Sequence, residues 1–206
     1  MEEEEEDKTI KFCIVGDQFV GKTHFLRRFC LNELSRNYLG TQCFDLMRKS
    51  IQLGEQKYVL SLNDLSGQER FKKDIMSKIK ISTKIIFMYD VTKQESFDSI
   101  PEWIETVKEN NKNDGLQMIL IGNKIDLENE RKISKEQGRE FAEKNAMDFF
   151  EVSTKTGENV NEAMLFIIKK ALGKPNDFSG EIIMDEKNIN QKKNNNQKKK
   201  GCCNCL

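Results

Sequence analysis

Gly16-Asp17-Gln18-Phe19-Val20-Gly21-Lys22-Thr23 stands between two runs of different periodicity, and its reading decides the fold. Before it, Ile10-Lys11-Phe12-Cys13-Ile14-Val15 has the apolar, β-rich content of a short buried strand. After it, His24-Phe25-Leu26-Arg27-Arg28-Phe29 opens a helical pattern that is expected to end near Asn32. The spacing G-x-x-x-x-G-K-[ST] between strand and helix is that of a phosphate-binding loop. Its glycines let the backbone wrap an anion so that several N–H groups point inward. The helix N-terminus adds partial positive charge at the same place. Asp17, Gln18, Phe19, Val20, Gly21, Lys22, Thr23 and His24 are therefore the expected phosphate contacts. Lys22 reaches the outer phosphates as a point charge, and the Thr23 hydroxyl is placed to ligate magnesium.

Working outward, the chain alternates strand and helix patterns. Phe44–Leu53 and Lys57–Leu62 form a hairpin around Gly54-Glu55. Residues 70–83 are polar and read as an irregular helix, while Lys84–Asp90 is a continuous apolar run of the kind buried on both faces of a sheet. Phe97, Ile100, Ile104 and Val107 recur at helical spacing, with Pro101 tolerable in a first turn. Leu116–Ile121 is a further buried strand, Ser134 to about Asn145 a helix with an N-cap signature, Phe149–Val152 a short strand and Val160–Leu172 a last helix. This order predicts an α/β fold: a six-stranded, mostly parallel sheet with one antiparallel edge pair and helices on both faces. Ligands in such sheets sit beyond the carboxyl ends of the strands, and every candidate motif here falls at such an end.

Composition narrows the function classes. The 206 residues suit one domain with tails, and the formal net charge is zero. That balance hides an acidic start, with residues 2–7 all Glu or Asp, and a basic end, with six lysines and no acid in residues 187–206. The near-neutral body argues against nucleic acid as the main partner. Met1 is followed by acids rather than a basic-then-apolar leader, and no apolar run approaches the ~18 residues of a membrane span. Cytosolic synthesis is expected. The six cysteines are three scattered in apolar positions and three crowded at the end, which is no disulfide framework.

Base choice and chemistry follow from the other strand ends. Asn123-Lys124-Ile125-Asp126 places a carboxylate where it can accept the ring N–H and the exocyclic amino group of guanine. Adenine offers neither, so the wrong base leaves the carboxylate unmet. Ser153-Thr154-Lys155, after the next strand, supplies a backbone N–H for the guanine carbonyl. Asp64 can hold magnesium through water, and Gly67 leaves its N–H open to a terminal phosphate. Gln68 is neutral and both donor and acceptor, which suits orienting an attacking water; with Lys22 it carries the catalytic expectation. Thr41, in the polar loop 33–43, can close over the metal when a third phosphate is present.

These motifs, in this order, resemble the Ras-superfamily small GTPases with their P-loop G domain, and among them the Rab family most. Gly67-Gln68-Glu69-Arg70-Phe71 and Tyr89-Asp90-Val91-Thr92 carry the Rab-like character, and there is no room between Asp126 and Ser153 for the extra helix of Rho proteins. The resemblance implies a switch that binds GTP and GDP with Mg2+ and hydrolyses GTP slowly in vesicle-mediated transport. Segments 33–45 and 64–80 would be ordered by the third phosphate. It also implies exchange factors, GTPase-activating proteins, a GDP-dissociation inhibitor and prenylation machinery as partners of a monomer. Residues 1–7 are an acidic disordered start, 8–172 the G domain, and 173–206 a linker with a Lys/Asn-rich tail.

Departures from the family pattern are specific. Leu34 stands where members place an aromatic on the guanine edge, which predicts looser nucleotide holding. Gln18-Phe19 replaces the usual small pair, and bulk at Gln18 can obstruct a catalytic arginine delivered in trans. Gln42-Cys43 and Asn63 replace Ile-Gly and Trp on the usual effector side. A second reading follows from Gln18, Phe19 and Leu34: a GTP-binding interaction protein with little or no hydrolysis. The end, Gly201-Cys202-Cys203-Asn204-Cys205-Leu206, lacks a tetrahedral zinc set and reads as a lipidation site at Cys202 and Cys203, with Cys205 a further candidate. Two chains, or one plus the lysines, give stable anchoring, with about 1 kcal/mol per lysine near anionic lipid. The expected location is the cytoplasmic face of an internal or plasma membrane, with a cytosolic pool.

Overall fold

The computed structural model describes residues 8–32, 44–53, 56–65, 72–173 and 183–184. Strands β1 (Lys8–Val15), β2 (Phe44–Leu53), β3 (Gln56–Leu65), β4 (Lys84–Asp90), β5 (Gln117–Asn123), β6 (Asp148–Val152) and β7 (Ile183–Met184) form one sheet in the order β6-β5-β4-β1-β3-β2-β7. Pairing is parallel from β6 to β3 and antiparallel between β3 and β2. The six expected strands and the hairpin are present, so the chain has the expected α/β architecture, a mostly parallel sheet with an antiparallel pair. β3 runs to Leu65 and carries Asp64 itself, in register with Ile14 of β1.

A seventh strand lies within the stretch read as linker. Ile183 and Met184 pair antiparallel with Gln52 and Ile51 of β2. β2 is otherwise the edge of the sheet, and an edge strand presents backbone groups that any extended segment can pair. Two residues carry too little pattern for this to be visible beforehand.

Helices α1 (Lys22–Leu31), α2 (Lys72–Ile81), α3 (Gln94–Asp98), α4 (Ile100–Asn110), α5 (Lys135–Lys144) and α6 (Val160–Ala171) cover the sheet. Strand alternation divides the interior into two cores. Phe12, Ile14, Ile86, Met88, Ile119 and Ile121 face Phe25, Leu26 and Phe29 of α1 and Ala163, Met164 and Ile167 of α6. Cys13, Val15, Ile85, Phe87, Tyr89 and Leu120 face Ile75 and Ile79 of α2, Ile104 and Val107 of α4 and Ala142 of α5. Burying each large apolar side chain contributes roughly 1.5–3 kcal/mol.

Two helices differ from expectation. α2 is a regular ten-residue helix, because Ile75 and Ile79, one turn apart, suffice to hold it on the second core. The Phe97–Val107 pattern is split at Ser99 into α3 and α4. Pro101 sits in the first turn of α4; in a continuous helix its ring would clash with the Phe97 carbonyl and its missing N–H would leave that carbonyl without a partner. Among the described residues no helix is long and apolar enough to cross a membrane.

Candidate nucleotide-binding site

β1 ends at Val15, and the next turn is shaped by close backbone approach. A Cβ on Gly16 (φ 139°) would stand 2.2 Å from the Met88 carbonyl of β4, and one on Gly21 (φ 107°) 2.2 Å from the Asn123 amide. Both positions therefore admit only glycine. Gly21 precedes α1 with no side chain capping the helix, so its first N–H groups face the loop. Lys22 folds back and donates to the carbonyls of Gly16 (2.7 Å) and Asp17 (2.6 Å). Burial pushes its ammonium down to about 8, against the opposing influence of Asp64 and Asp17. Phe19 takes a left-handed conformation (φ 64°), and 62% of the residue is exposed.

The metal-ligand pair expected from sequence is brought together. Thr23 Oγ1 donates to Asp64 Oδ2 at 2.5 Å, linking the start of α1 to β3, and Asp64 is fully buried. Two adjacent oxygen donors, one of them a carboxylate, are the hard ligand set that Mg2+ takes.

Beyond β5 and β6 the remaining residues converge. Asn123, fully buried, donates from Nδ2 to the Val20 carbonyl (2.7 Å) and to Thr154 Oγ1 (3.3 Å), and its Oδ1 accepts from the Thr154 N–H (3.1 Å). One side chain thus joins three loops. Ser153 Oγ donates to Asp126 Oδ1 at 2.6 Å, and Lys155 Nζ lies 3.4 Å from Asp126 Oδ2. Lys124, left-handed at φ 71°, reaches back to the buried Asp90 at 2.6 Å. Asp90 in turn accepts from the N–H and hydroxyl of Thr92. These contacts hold the Asp126 carboxylate between the Ser153 hydroxyl and the Lys155 ammonium.

Thr41, Gly67 and Gln68 lie outside the described residues, as do Leu34, Gln42, Cys43 and the tail cysteines Cys202, Cys203 and Cys205. Sequence reasoning missed Trp103, whose Nε1 donates to Asp17 Oδ1 at 3.0 Å from α4, and Arg28, which donates to the Lys155 carbonyl at 3.0 Å. Trp103 is the sole tryptophan of the chain, a signal that gives no hint of its partner. A cavity of about 820 Å³ lined by Arg131, Phe149, Glu151 and Glu162 holds none of the expected binding residues.

Comparison with known proteins bears on the same region. A profile of the Ras family matches residues 11–173. Ras-related protein Rab-13 of Bos taurus is 34% identical over 166 residues, covering 81% of each chain. Ras-related protein Rab-8B of Homo sapiens is 34% identical over 170 residues, covering 82% of each. The GTP-binding protein ypt2 of Schizosaccharomyces pombe is 34% identical over 179 residues, 85% of this chain and 89% of its own.

Proposed function

The chain belongs to the Ras family of GTP-hydrolysing small GTPases, in its Rab branch, and on that premise we propose that it is a membrane-attached switch in vesicle-mediated transport. The observation that carries the reading is the meeting of the phosphate loop, the Thr23–Asp64 contact and the Asp126 cluster at one edge of the sheet. Asp126 receives the ring N–H and amino group of guanine, steadied by Ser153 and Lys155. Asn123 and Thr154 keep the two base loops at fixed spacing, and Lys124 is braced by Asp90. The backbone from Asp17 to His24 lines the phosphates, and Lys22 leaves its carbonyl partners for the outer phosphate oxygens. Mg2+, which this family generally binds with its nucleotide, would be held by Thr23, Thr41 and, through water, Asp64, and would neutralise phosphate charge there. Gln68 orients the attacking water, and the Gly67 N–H contacts the terminal phosphate. Catalysis of this kind is positioning plus electrostatics, so intrinsic turnover is slow.

Phe19 favours a second reading, a GTP-binding protein with little turnover, since a bulky exposed ring stands in the phosphate loop. Single-turnover release of phosphate from bound GTP separates the two. The switch reading expects slow release that falls further in Gln68→Leu. No release from either protein would leave only the binding reading. The anchor has its own test: replacing Cys202, Cys203 and Cys205 with Ser should move the cellular protein from membranes to the soluble fraction. Unchanged membrane association would defeat lipidation.

A further inference from the structure

We propose that Arg28 is a positioning residue that sets how long the nucleotide stays bound. Arg28 lies in the last turn of α1, five residues after Thr23 of the phosphate loop and 127 residues before Lys155 of the base loop. Its Nη2 donates to the Lys155 carbonyl at 3.0 Å, and its Nη1 donates to the Asn32 carbonyl at 3.3 Å. One planar group therefore grips two segments that no regular hydrogen-bond ladder connects. On the far side the chain approaches closely: a Cβ added to Gly157 (φ 91°) would lie 3.1 Å from Nε and 3.4 Å from Nη2. Glycine at 157 lets the base loop close on the guanidinium, whose Nε is buried there.

What the two carbonyls belong to gives the clamp its meaning. Lys155 is the residue whose ammonium faces Asp126, so fixing its carbonyl fixes the backbone that carries the guanine contact. Asn32 is the left-handed cap of α1, and the chain continues from it to Leu34 and Thr41. Arg28 thus holds the base loop against the end of α1. Lysine cannot reproduce the grip, because a point charge lacks the fork that reaches two carbonyls at once.

The inference rests on the reading that Asp126, Ser153 and Lys155 receive guanine. The test uses the full chain, wild type and the variants Arg28→Met and Arg28→Lys, with dissociation of GDP and of IDP measured by displacement of a fluorescent analogue. IDP lacks the amino group that Asp126 accepts. Loss of one charge-assisted hydrogen bond predicts GDP release about tenfold faster in Arg28→Met, with Arg28→Lys intermediate. The GDP-to-IDP ratio of release rates should move toward one, because a loosened base loop reads the amino group less well. A residue acting only as a favourable cation at the end of α1 would lower the melting temperature and leave that ratio unchanged. That outcome, or GDP release at the wild-type rate, overturns the proposal while the guanine reading stands. Equal release of GDP and IDP from the wild type overturns the guanine reading, and the proposal with it.

Discussion

Phe19 is the residue whose conformation is least expected from its type. A left-handed backbone costs an L-residue roughly 1–2 kcal/mol, and glycine adopts it freely. The ring recovers little of this by burial, since 62% of the residue is exposed. Phe19→Gly should therefore stabilise the fold, by about 1 kcal/mol less the extra unfolded-state entropy of glycine. For a chain of this size that corresponds to a melting temperature higher by roughly 2 °C. Melting at two GDP concentrations separates this gain from a change in affinity. A lower melting temperature would show that the ring makes stabilising contacts and that the strain is not the controlling term. The same position illustrates what residue-level reading reaches. Gly16 and Gly21 are legible from spacing alone, because the loop works only with glycine there. That Phe19 shares their half of conformational space is a property of the folded turn, and no neighbour in sequence announces it.

At the scale of elements, period and capping were legible wherever the controlling contacts are local. The Ser134 cap of α5 is an example: Ser134 Oγ accepts from the Gln137 N–H while Gln137 Oε1 accepts from the Ser134 N–H, both within four residues. Elements held by distant partners were not legible. β7 exists through pairing with β2, and α2 is regular through packing of Ile75 and Ile79 on the second core. The 3-10 segment 125–130, which carries Asp126, is anchored in this second way. Arg131, just after it, donates from Nη1 to Glu151 Oε1 at 2.6 Å and from Nη2 to Oε2 at 3.3 Å, tying the segment to β6. The Glu151 side chain is only 7% exposed, so its charge depends on that partner. Arg131→Met should cost about 3 kcal/mol, the expense of a buried carboxylate left unpaired. Arg131→Met with Glu151→Leu should recover most of it, because no charge is then stranded. Equilibrium urea unfolding of the two proteins checks this, and equal loss in both would mean that packing rather than charge holds the segment.

For the whole molecule, the question is which contacts at the carboxyl edge belong to the protein and which to its ligand. The two cores lie on opposite faces of the sheet and share only its strands. The loops after β1, β5 and β6 are brought together by Asn123, which bonds to Val20 and Thr154 while wholly buried. Its place in a guanine motif was legible, but this joint was not, because its partners lie 103 and 31 residues away. A contact made only to nucleotide and a joint within the protein predict different stability curves for Asn123→Ala. A ligand contact has no effect on the fold without GDP, and its deficit grows with GDP towards a limit of RT ln of the ratio of dissociation constants. A joint leaves the Val20 carbonyl and the Thr154 N–H buried without their partner at every GDP concentration, at about 1–3 kcal/mol for each unmet group. We expect the second form: a deficit of about 3 kcal/mol that persists on extrapolation to zero GDP, read from urea unfolding across a GDP series. A deficit that vanishes at zero GDP would return Asn123 to a role in ligand binding alone. The loops would then be held together by the nucleotide, and the carboxyl edge would be assembled only in the bound protein.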